Sequence, residues 1–227
     1  MDFFSGSATT AEAVMRNNIG GNHNRFILIQ LPELIDSTKK ATSENSKKVV
    51  LNAISVLDEL KKPHYITELA KERIRRAGKK IKEESPLTTQ DLDTGFRVLK
   101  LDSTNMQDIY YSPKDISQAD LFSQVDNVKP DRTGEDLLFQ VMLELGATLD
   151  SKIETTTVAG KTIYNVAEGY LVACFDPDVT DDVVKSIAQM QPAYAVLRDT
   201  SMKDDSTATN FEQIFKTYSP DTVTKIL

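Results

Sequence analysis

Residues 2–10 read Asp-Phe-Phe-Ser-Gly-Ser-Ala-Thr-Thr, and this stretch decides how the first part of the chain is interpreted. The pattern predicts a strand that ends in a tight turn around Gly6, followed by a helix with Glu12 in its first turns. Such a turn directs backbone N–H groups towards a nucleotide-like ligand at the carboxyl end of a parallel sheet. The alternative is a strand-to-helix turn without a ligand, because one glycine is not the full dinucleotide-binding fingerprint.

Three residues in this stretch have properties that suit ligand binding. Gly6 permits close backbone approach or a positive φ angle, and Phe4 offers an apolar wall. Asp2 can receive the ammonium group of an amino-acid-like ligand.

The residues that follow complete a predicted βαβ unit. We expect Thr9 and Thr10 to cap a helix that runs to Asn17, then a break at 20–21. The apolar run at 25–30 predicts a fully buried parallel strand. Beyond it, the composition predicts a surface loop at 36–48, helices at 49–60 and 65–82, and a polar domain boundary at 83–93.

The predicted helix at 65–82 has an apolar stripe and a strongly basic opposite face. That face is either an ordinary solvated surface or a patch that faces phosphate groups. Net charge favours the first part of the chain for any contact with nucleic acid, since residues 1–90 carry +4 and the remainder carries −11. The basic residues of this face are Lys71, Arg73, Arg75, Arg76, Lys79, Lys80 and Lys82.

The second part, 94–227, predicts a mixed α/β domain. Short connections between its first strands favour an antiparallel meander. The predicted elements are a strand at 96–101, a helix at 133–145, strands at 151–158, 161–166 and 169–175, a helix at 180–190, a strand at 193–198, a helix from 206 or 207 to 216, and a strand at 222–227.

Composition excludes several classes of site. A single cysteine, Cys174, excludes an intramolecular disulfide and a cysteine-based zinc site, and only His23 and His64 are available for histidine chemistry. We therefore expect no metal. The sequence contains neither a signal-peptide pattern nor a long apolar run, so we expect a cytoplasmic protein that does not contact a membrane.

Residues 2–10 resemble the D-x-F-x-G-S-G-T-T motif of S-adenosylmethionine-dependent DNA amino-methyltransferases of the β arrangement, in which the catalytic motif precedes the cofactor motif. The resemblance is closer still to the C-terminal portion of the modification (Mod) subunit of type III restriction–modification systems. The stretches that narrow it in this way are residues 25–33, 71–77 and 208–215. The resemblance implies a partial, N-terminally truncated Rossmann-like methyltransferase sheet in residues 1–90. A mixed α/β C-terminal domain for subunit interaction follows in residues 94–227.

The resemblance also implies roles for individual residues. Gln30 stands where many such enzymes place an acid for the ribose hydroxyls, and Ala8 replaces the second glycine of the motif. The residues matched to S-adenosylmethionine binding are Asp2, Phe4, Gly6, Ser7, Thr9 and Gln30. The candidates for DNA contact are Arg73, Arg75, Arg76, Lys79 and Lys80.

The family's Asp/Asn-Pro-Pro-aromatic catalytic motif is absent, because no two of the eight prolines are adjacent. We therefore expect a C-terminal fragment of an adenine-N6 DNA methyltransferase that has no catalytic residue and does not methylate DNA alone. The complete subunit would flip the target adenine out of the duplex. By resemblance, its partners are DNA, a second Mod subunit and an ATP-hydrolysing restriction (Res) subunit.

Two other interpretations stay open. The chain is a non-enzymatic subunit-interaction module with a vestigial cofactor turn, or it is an unrelated dinucleotide-binding enzyme. The lone glycine at residue 6 disfavours the second of these.

Overall fold

The computed structural model describes residues 1–35, 43–107, 127–202 and 205–227, with side chains omitted at 205–208. These residues form two compact units, Met1–Arg97 and Val98–Leu227, which divide a few residues beyond the predicted polar boundary. The predicted mixed α/β class is confirmed, since the described residues contain six α-helices and a five-stranded mixed sheet. Residues 36–42 of the predicted surface loop lie outside the described part of the chain.

The first unit contains three α-helices, α1 (Thr9–Asn17), α2 (Glu44–Glu59) and α3 (Ile66–Glu84). Helix α2 begins earlier than the sequence predicted, because the Ser43 side chain accepts a hydrogen bond from the Ser46 N–H at 3.2 Å and caps the helix. The predicted loop therefore does not extend to residue 48.

Helices α1 and α3 pack together through small and branched side chains. Their buried cluster contains Ala8, Ala11, Met15, Ala70, Ile74 and Ile81. Spacings of three and four residues along α3 bring its apolar side chains onto one side, as the predicted stripe required. Phe26 and Leu28 lie against the same cluster, and so do Leu92 and Phe96 from the segment after α3.

Of the predicted βαβ arrangement, the described residues show a single parallel bridge between Asp2 and Leu28, and neither predicted segment forms a strand. The Asp2 N–H donates to the Ile27 carbonyl, and the Ile29 N–H donates to the Asp2 carbonyl, both at 2.9 Å. The prediction of a fully buried strand at 25–30 is wrong, because Ile27 is 56% exposed and Ile29 is 46% exposed. The helical cluster covers alternate side chains only, so the other face of this segment remains in contact with solvent.

The second unit is built on strands β1 (Ile153–Val158), β2 (Lys161–Val166), β3 (Leu171–Cys174), β4 (Tyr194–Leu197) and β5 (Val223–Ile226), in that spatial order. The first three strands are antiparallel, which confirms the predicted meander, and β3, β4 and β5 are parallel. Helices α5 (Asp181–Gln189) and α6 (Asp205–Tyr218) connect the parallel strands.

Both faces of this sheet are covered, so every residue of β3 is buried. Val172 and Cys174 lie in one cluster with side chains of α5 and α6. Leu171 and Ala173 lie in the opposite cluster with side chains of α4 (Gly134–Glu144). Helix α4 begins at a capping box in which Thr133 and Asp136 accept hydrogen bonds from each other's backbone N–H groups.

Two local predictions are wrong. Residues 96–101 form no strand, because Phe96 packs against the first unit's core while Leu99 and Leu101 are exposed. Thr9 and Thr10 do not cap α1, because they already lie inside the helix and Ala8 occupies the N-cap position.

The buried glycine in α3 gives a stability prediction. A Cβ atom at Gly78 would lie 2.9 Å from the Thr94 Cβ. Alanine favours a helix by about 1 kcal/mol over glycine, but overpacking costs about 1–3 kcal/mol. We expect Gly78→Ala to lower the free energy of unfolding of α3, measured by native-state hydrogen exchange of its amides.

Lys79→Ala is the matched control for this experiment, since the Lys79 side chain is 77% exposed on the same helix. Thr94→Gly in the Gly78→Ala background should restore stability by removing the clash. An increase in stability on Gly78→Ala alone would show that the contact with Thr94 is not restrictive.

Candidate functional site

The turn predicted to bind a ligand is formed by residues 5–8. The Ala8 N–H donates to the Ser5 carbonyl at 2.8 Å, and the Ser5 N–H donates to the Ile29 carbonyl at 3.4 Å. Gly6 has φ +52° and Ala8 has φ +63°, so two residues of the turn adopt left-handed backbone conformations. The turn therefore redirects the chain from the bridge at Asp2 into α1 within four residues.

Ala8 carries a steric penalty that glycine would avoid. The left-handed conformation costs a residue with a Cβ atom about 1–2 kcal/mol. The Ala8 methyl group is fully buried in the α1–α3 cluster, and such burial returns about 0.8 kcal/mol. The positive φ favours glycine at this position, and burial of the methyl group offsets part of the cost of alanine there.

The side of the turn at Gly6 is open. No atom lies within 4 Å of the position that a Cβ atom would occupy there. The Gly6 N–H donates to the Gln30 Oε1 at 2.8 Å, and the Gln30 Nε2 donates to the Leu31 carbonyl at 3.1 Å. The structure thus brings Gln30 to the turn, where its amide holds the backbone of Gly6.

Asp2 lies beside the same turn with its carboxylate fixed by two donors. The Thr10 hydroxyl donates to Oδ2 at 2.7 Å, and the Phe4 N–H donates to Oδ1 at 3.1 Å. The hydrogen bond from Thr10, followed by that from Phe4, lowers the pKa of Asp2 below its usual value. Asp2 is therefore ionised near neutral pH and can bind an ammonium group.

The other matched residues differ in their surroundings. Ser7 is half-buried and accepts a hydrogen bond from Arg73, whereas Thr9 is exposed on the first turn of α1. Phe4 is 91% exposed, so its ring is available as an apolar wall but packs little within the described residues. The turn brings Gly6, Ser7, Gln30 and Asp2 together, while Phe4 and Thr9 lie on its solvent side.

A network of ion pairs joins α1 to α3 next to the turn. Arg73 Nη2 lies 3.3 Å from Glu12 Oε2, and Arg16 Nε lies 3.3 Å from Glu12 Oε1. Arg16 Nη1 also lies 3.1 Å from Glu84 Oε2. The hydrogen bond from Arg73, followed by that from Arg16, lowers the pKa of Glu12.

The basic face of α3 is partly neutralised by acids of its own helix. Arg75 and Arg76 lie 3.8 and 2.7 Å from carboxylate oxygens of Glu72. Lys79 and Lys80 lie 3.8 and 3.6 Å from carboxylate oxygens of Glu83 and Glu84. These four basic side chains are between 57% and 77% exposed, so their pairs are weak and can exchange for phosphate contacts.

Sequence reasoning missed the structural roles of Glu12 and Arg73. Glu12 was interpreted only as an acid that favours a helix N-terminus, and Arg73 only as a candidate for DNA contact. The two residues lie 61 positions apart, and no local spacing relates them. The pattern of charge on α3 indicates which side of the helix is polar, but it does not identify which basic side chain contacts α1.

Other features of the described residues give no competing site. They contain no group of three or more His, Cys, Asp or Glu side chains that could hold a metal ion. No helix in the same ranges has the length and apolarity needed to cross a membrane.

A depression of about 440 Å³ in the second unit is lined by residues of α6 and β5. Burial raises the pKa of the Cys174 thiol, as expected for an inert residue of the core.

Comparison with known proteins supports a relationship to type III systems. No protein-family model matches the chain. Over 98 residues, the chain is 35% identical to the type III restriction-modification enzyme StyLTI Mod subunit of Salmonella typhimurium strain LT2. The match covers 43% of this chain and 12% of that subunit. The chain thus spans a small part of this relative. The similarity is to a Mod subunit, the class to which residues 25–33, 71–77 and 208–215 narrowed the resemblance.

The ion pairs of Glu12 predict an acid-dependent loss of stability. A folded-state pKa below the usual value near 4.5 contributes stability that is present above that value and is lost as the pH falls through the folded-state pKa. We expect Glu12→Gln to be less stable than the unaltered chain near neutral pH. The difference should shrink below about pH 5.

Urea unfolding followed by the amide NMR signals of residues 9–17 would measure this difference. Glu59→Gln, at the exposed end of α2, is the control and should give no comparable pH-dependent difference. A difference for Glu12→Gln that stays constant from pH 7 to pH 3 would contradict the assigned ion pairs.

Proposed function

We propose that the first unit is the S-adenosylmethionine-binding part of a DNA adenine-N6 methyltransferase of the type III Mod class. The observation that carries this proposal is the open, left-handed turn at Gly6, placed between an ionised Asp2 and the N-terminus of α1. The similarity to a Mod subunit supports the same class independently of the turn's geometry.

The residues present fit the chemistry of this cofactor. The Asp2 carboxylate would bind the ammonium group of the methionine portion. The first N–H groups of α1 would favour its carboxylate, because the Ala8 side chain does not cap this helix. Phe4 would offer an apolar surface to the adenosine portion. When bound, the cofactor supplies a methyl group on a sulfonium centre.

Gln30 has a supporting role in this proposal. Its amide already bonds Gly6 and Leu31, so it stabilises the turn's shape. Any contact that Gln30 makes with the ribose hydroxyls would have to form alongside these bonds or replace them.

On this proposal, the groups that act on the target adenine would come from outside these 227 residues, since the sequence has no Pro-Pro-aromatic motif. An exposed apolar face supports docking of a further polypeptide segment on the first unit. Met1, Phe3 and Leu31 are 72%, 60% and 71% exposed, and they accompany the half-exposed Ile27 and Ile29. Contiguous apolar surface of this kind typically marks an interaction site.

In a complete system, the exposed basic side chains of α3 other than Arg73, namely Arg75, Arg76, Lys79 and Lys80, would contact the phosphate backbone. The assembly would include a second Mod subunit and a Res subunit. Phosphate contacts of this kind add affinity without sequence information. The recognised base sequence would therefore be determined elsewhere in the assembly.

A non-enzymatic interaction module is the second candidate. The observation in its favour is the second unit, whose five-stranded sheet has its own core on both faces and leaves β1 largely exposed at one edge. An exposed edge strand can pair with a partner strand. On this view the turn at Gly6 is vestigial, and a cofactor titration separates the two candidates.

Calorimetric titration with S-adenosylmethionine tests the proposal. We expect saturable binding at one site per chain and a loss of affinity of about tenfold or more for Gly6→Ala, because the added methyl group enters the open side of the turn. Gly21→Ala is a matched control, since Gly21 also has a positive φ, +87°, and open space around it.

Absence of binding, or equal losses for the two glycine variants, would contradict a cofactor site at Gly6. Saturable binding of NAD in the same experiment would instead favour an unrelated dinucleotide-binding enzyme. We expect no transfer of a labelled methyl group to adenine by the chain alone, and detection of such transfer would show that the catalytic groups are present.

A further inference from the structure

Arg73 differs from the other basic side chains of α3 in the direction of its contacts. Arg75, Arg76, Lys79 and Lys80 pair with acids of α3 itself. The Arg73 guanidinium instead reaches α1 and the turn. Nη1 donates to the Ser7 Oγ at 3.0 Å, and Nε and Nη2 donate to the Glu12 Oε2 at 3.4 and 3.3 Å.

The guanidinium geometry suits this arrangement. Its N–H groups project from a rigid plane, so one edge can bind the Glu12 carboxylate while Nη1 is directed at Ser7. Arg73 also starts from a well-anchored position, because the adjacent Ile74 is buried in the α1–α3 cluster. A flexible lysine with a single ammonium group would not hold both partners at fixed positions.

Ser7 is the residue that directly follows Gly6 in the open turn. Gln30 holds the turn at the Gly6 N–H, and Arg73 holds it at the Ser7 hydroxyl. Gly6 has broad conformational freedom, so two anchors on adjacent residues restrict the turn much more than one. The Arg73 side chain is 38% exposed, against 57% to 77% for Arg75, Arg76, Lys79 and Lys80, so it is less accessible to a phosphate group than its neighbours on α3.

We propose that Arg73 is a positioning residue that presets the turn at Gly6 for the methyl donor by holding Ser7, and that it does not contact DNA phosphate. This inference rests on the proposed function for its cofactor but on the hydrogen bonds alone for its effect on the turn. It gives a physical role to Arg73, one of the residues 71–77 that the sequence relates to Mod subunits only by resemblance.

Arg16 provides a matched control, because it also pairs with Glu12 and bridges α1 to α3 through Glu84. Arg73→Gln and Arg16→Gln therefore both weaken the contact between the helices, but only Arg73→Gln releases Ser7. Hydrogen exchange of the 6–8 amides, measured without any ligand, should accelerate in Arg73→Gln and stay unchanged in Arg16→Gln. Similar acceleration in both variants would overturn the proposal in favour of general helix docking.

Cofactor affinity provides the second measurement. We expect Arg73→Gln to weaken S-adenosylmethionine binding about tenfold, a change of about 1.4 kcal/mol, with little change in Arg16→Gln. Ser7→Ala should weaken binding similarly, and the double variant should be no weaker than either single one, because both changes remove one interaction. Arg73→Lys should fail to restore affinity despite its retained charge. The proposal would be overturned if the affinity losses of the two single variants added up in the double variant. It would also be overturned if Arg73→Lys bound S-adenosylmethionine as tightly as the unaltered chain.

The two measurements distinguish this proposal from the proposed function. If the unaltered chain does not bind S-adenosylmethionine, the proposed function fails and the cofactor role of Arg73 fails with it. The exchange rates of the 6–8 amides still decide whether Arg73 holds the turn.

Discussion

The geometry of the candidate site depends on the hydrogen bond from the Gly6 N–H to the Gln30 side chain. This bond joins the turn to a side chain 24 positions further along the chain. Gln30 supplies an acceptor oxygen to Gly6 and, from the same amide, a donor nitrogen to the Leu31 carbonyl. A carboxylate could accept the first bond but would repel the carbonyl oxygen, which gives a physical reason for glutamine at position 30.

Much of the fold could be predicted from the sequence because its signals are local. The stripe at Ile74, Ala77 and Ile81 appears in the sequence at helical spacing, and it is the face that α3 buries. The cap at Thr133 is followed three residues later by Asp136, and both side chains make the bonds that this spacing predicts. In the second unit, the short connections at 159–160 and 168–169 predict antiparallel pairing, which the sheet shows.

The remaining features depend on contacts between distant segments. The apolar run at 25–30 has the composition of a buried strand, but burial requires cover on both faces, and the helices of the first unit supply one. The alternation at 96–101 is typical of a strand, yet Phe96 packs on the first unit's core with Arg75 over its ring, at 5.7 Å. Periodicity predicts neither outcome, because it does not show which other segments of the chain will cover a given side chain.

The exposed apolar side chains of Met1, Phe3, Ile27, Ile29 and Leu31 lie in the segments that adjoin the open turn at Gly6. Residues 1–4 run along the exposed side chains of Ile27 and Ile29 and pass directly into the turn at 5–8. Met1, Phe3, Ile27, Ile29 and Leu31 are between 46% and 72% exposed, and removing apolar surface from water favours association by about 25 cal/mol per Å². Ordering and association costs oppose it. A segment that covers this face must also lie beside residues 1–4, and hence next to Gly6.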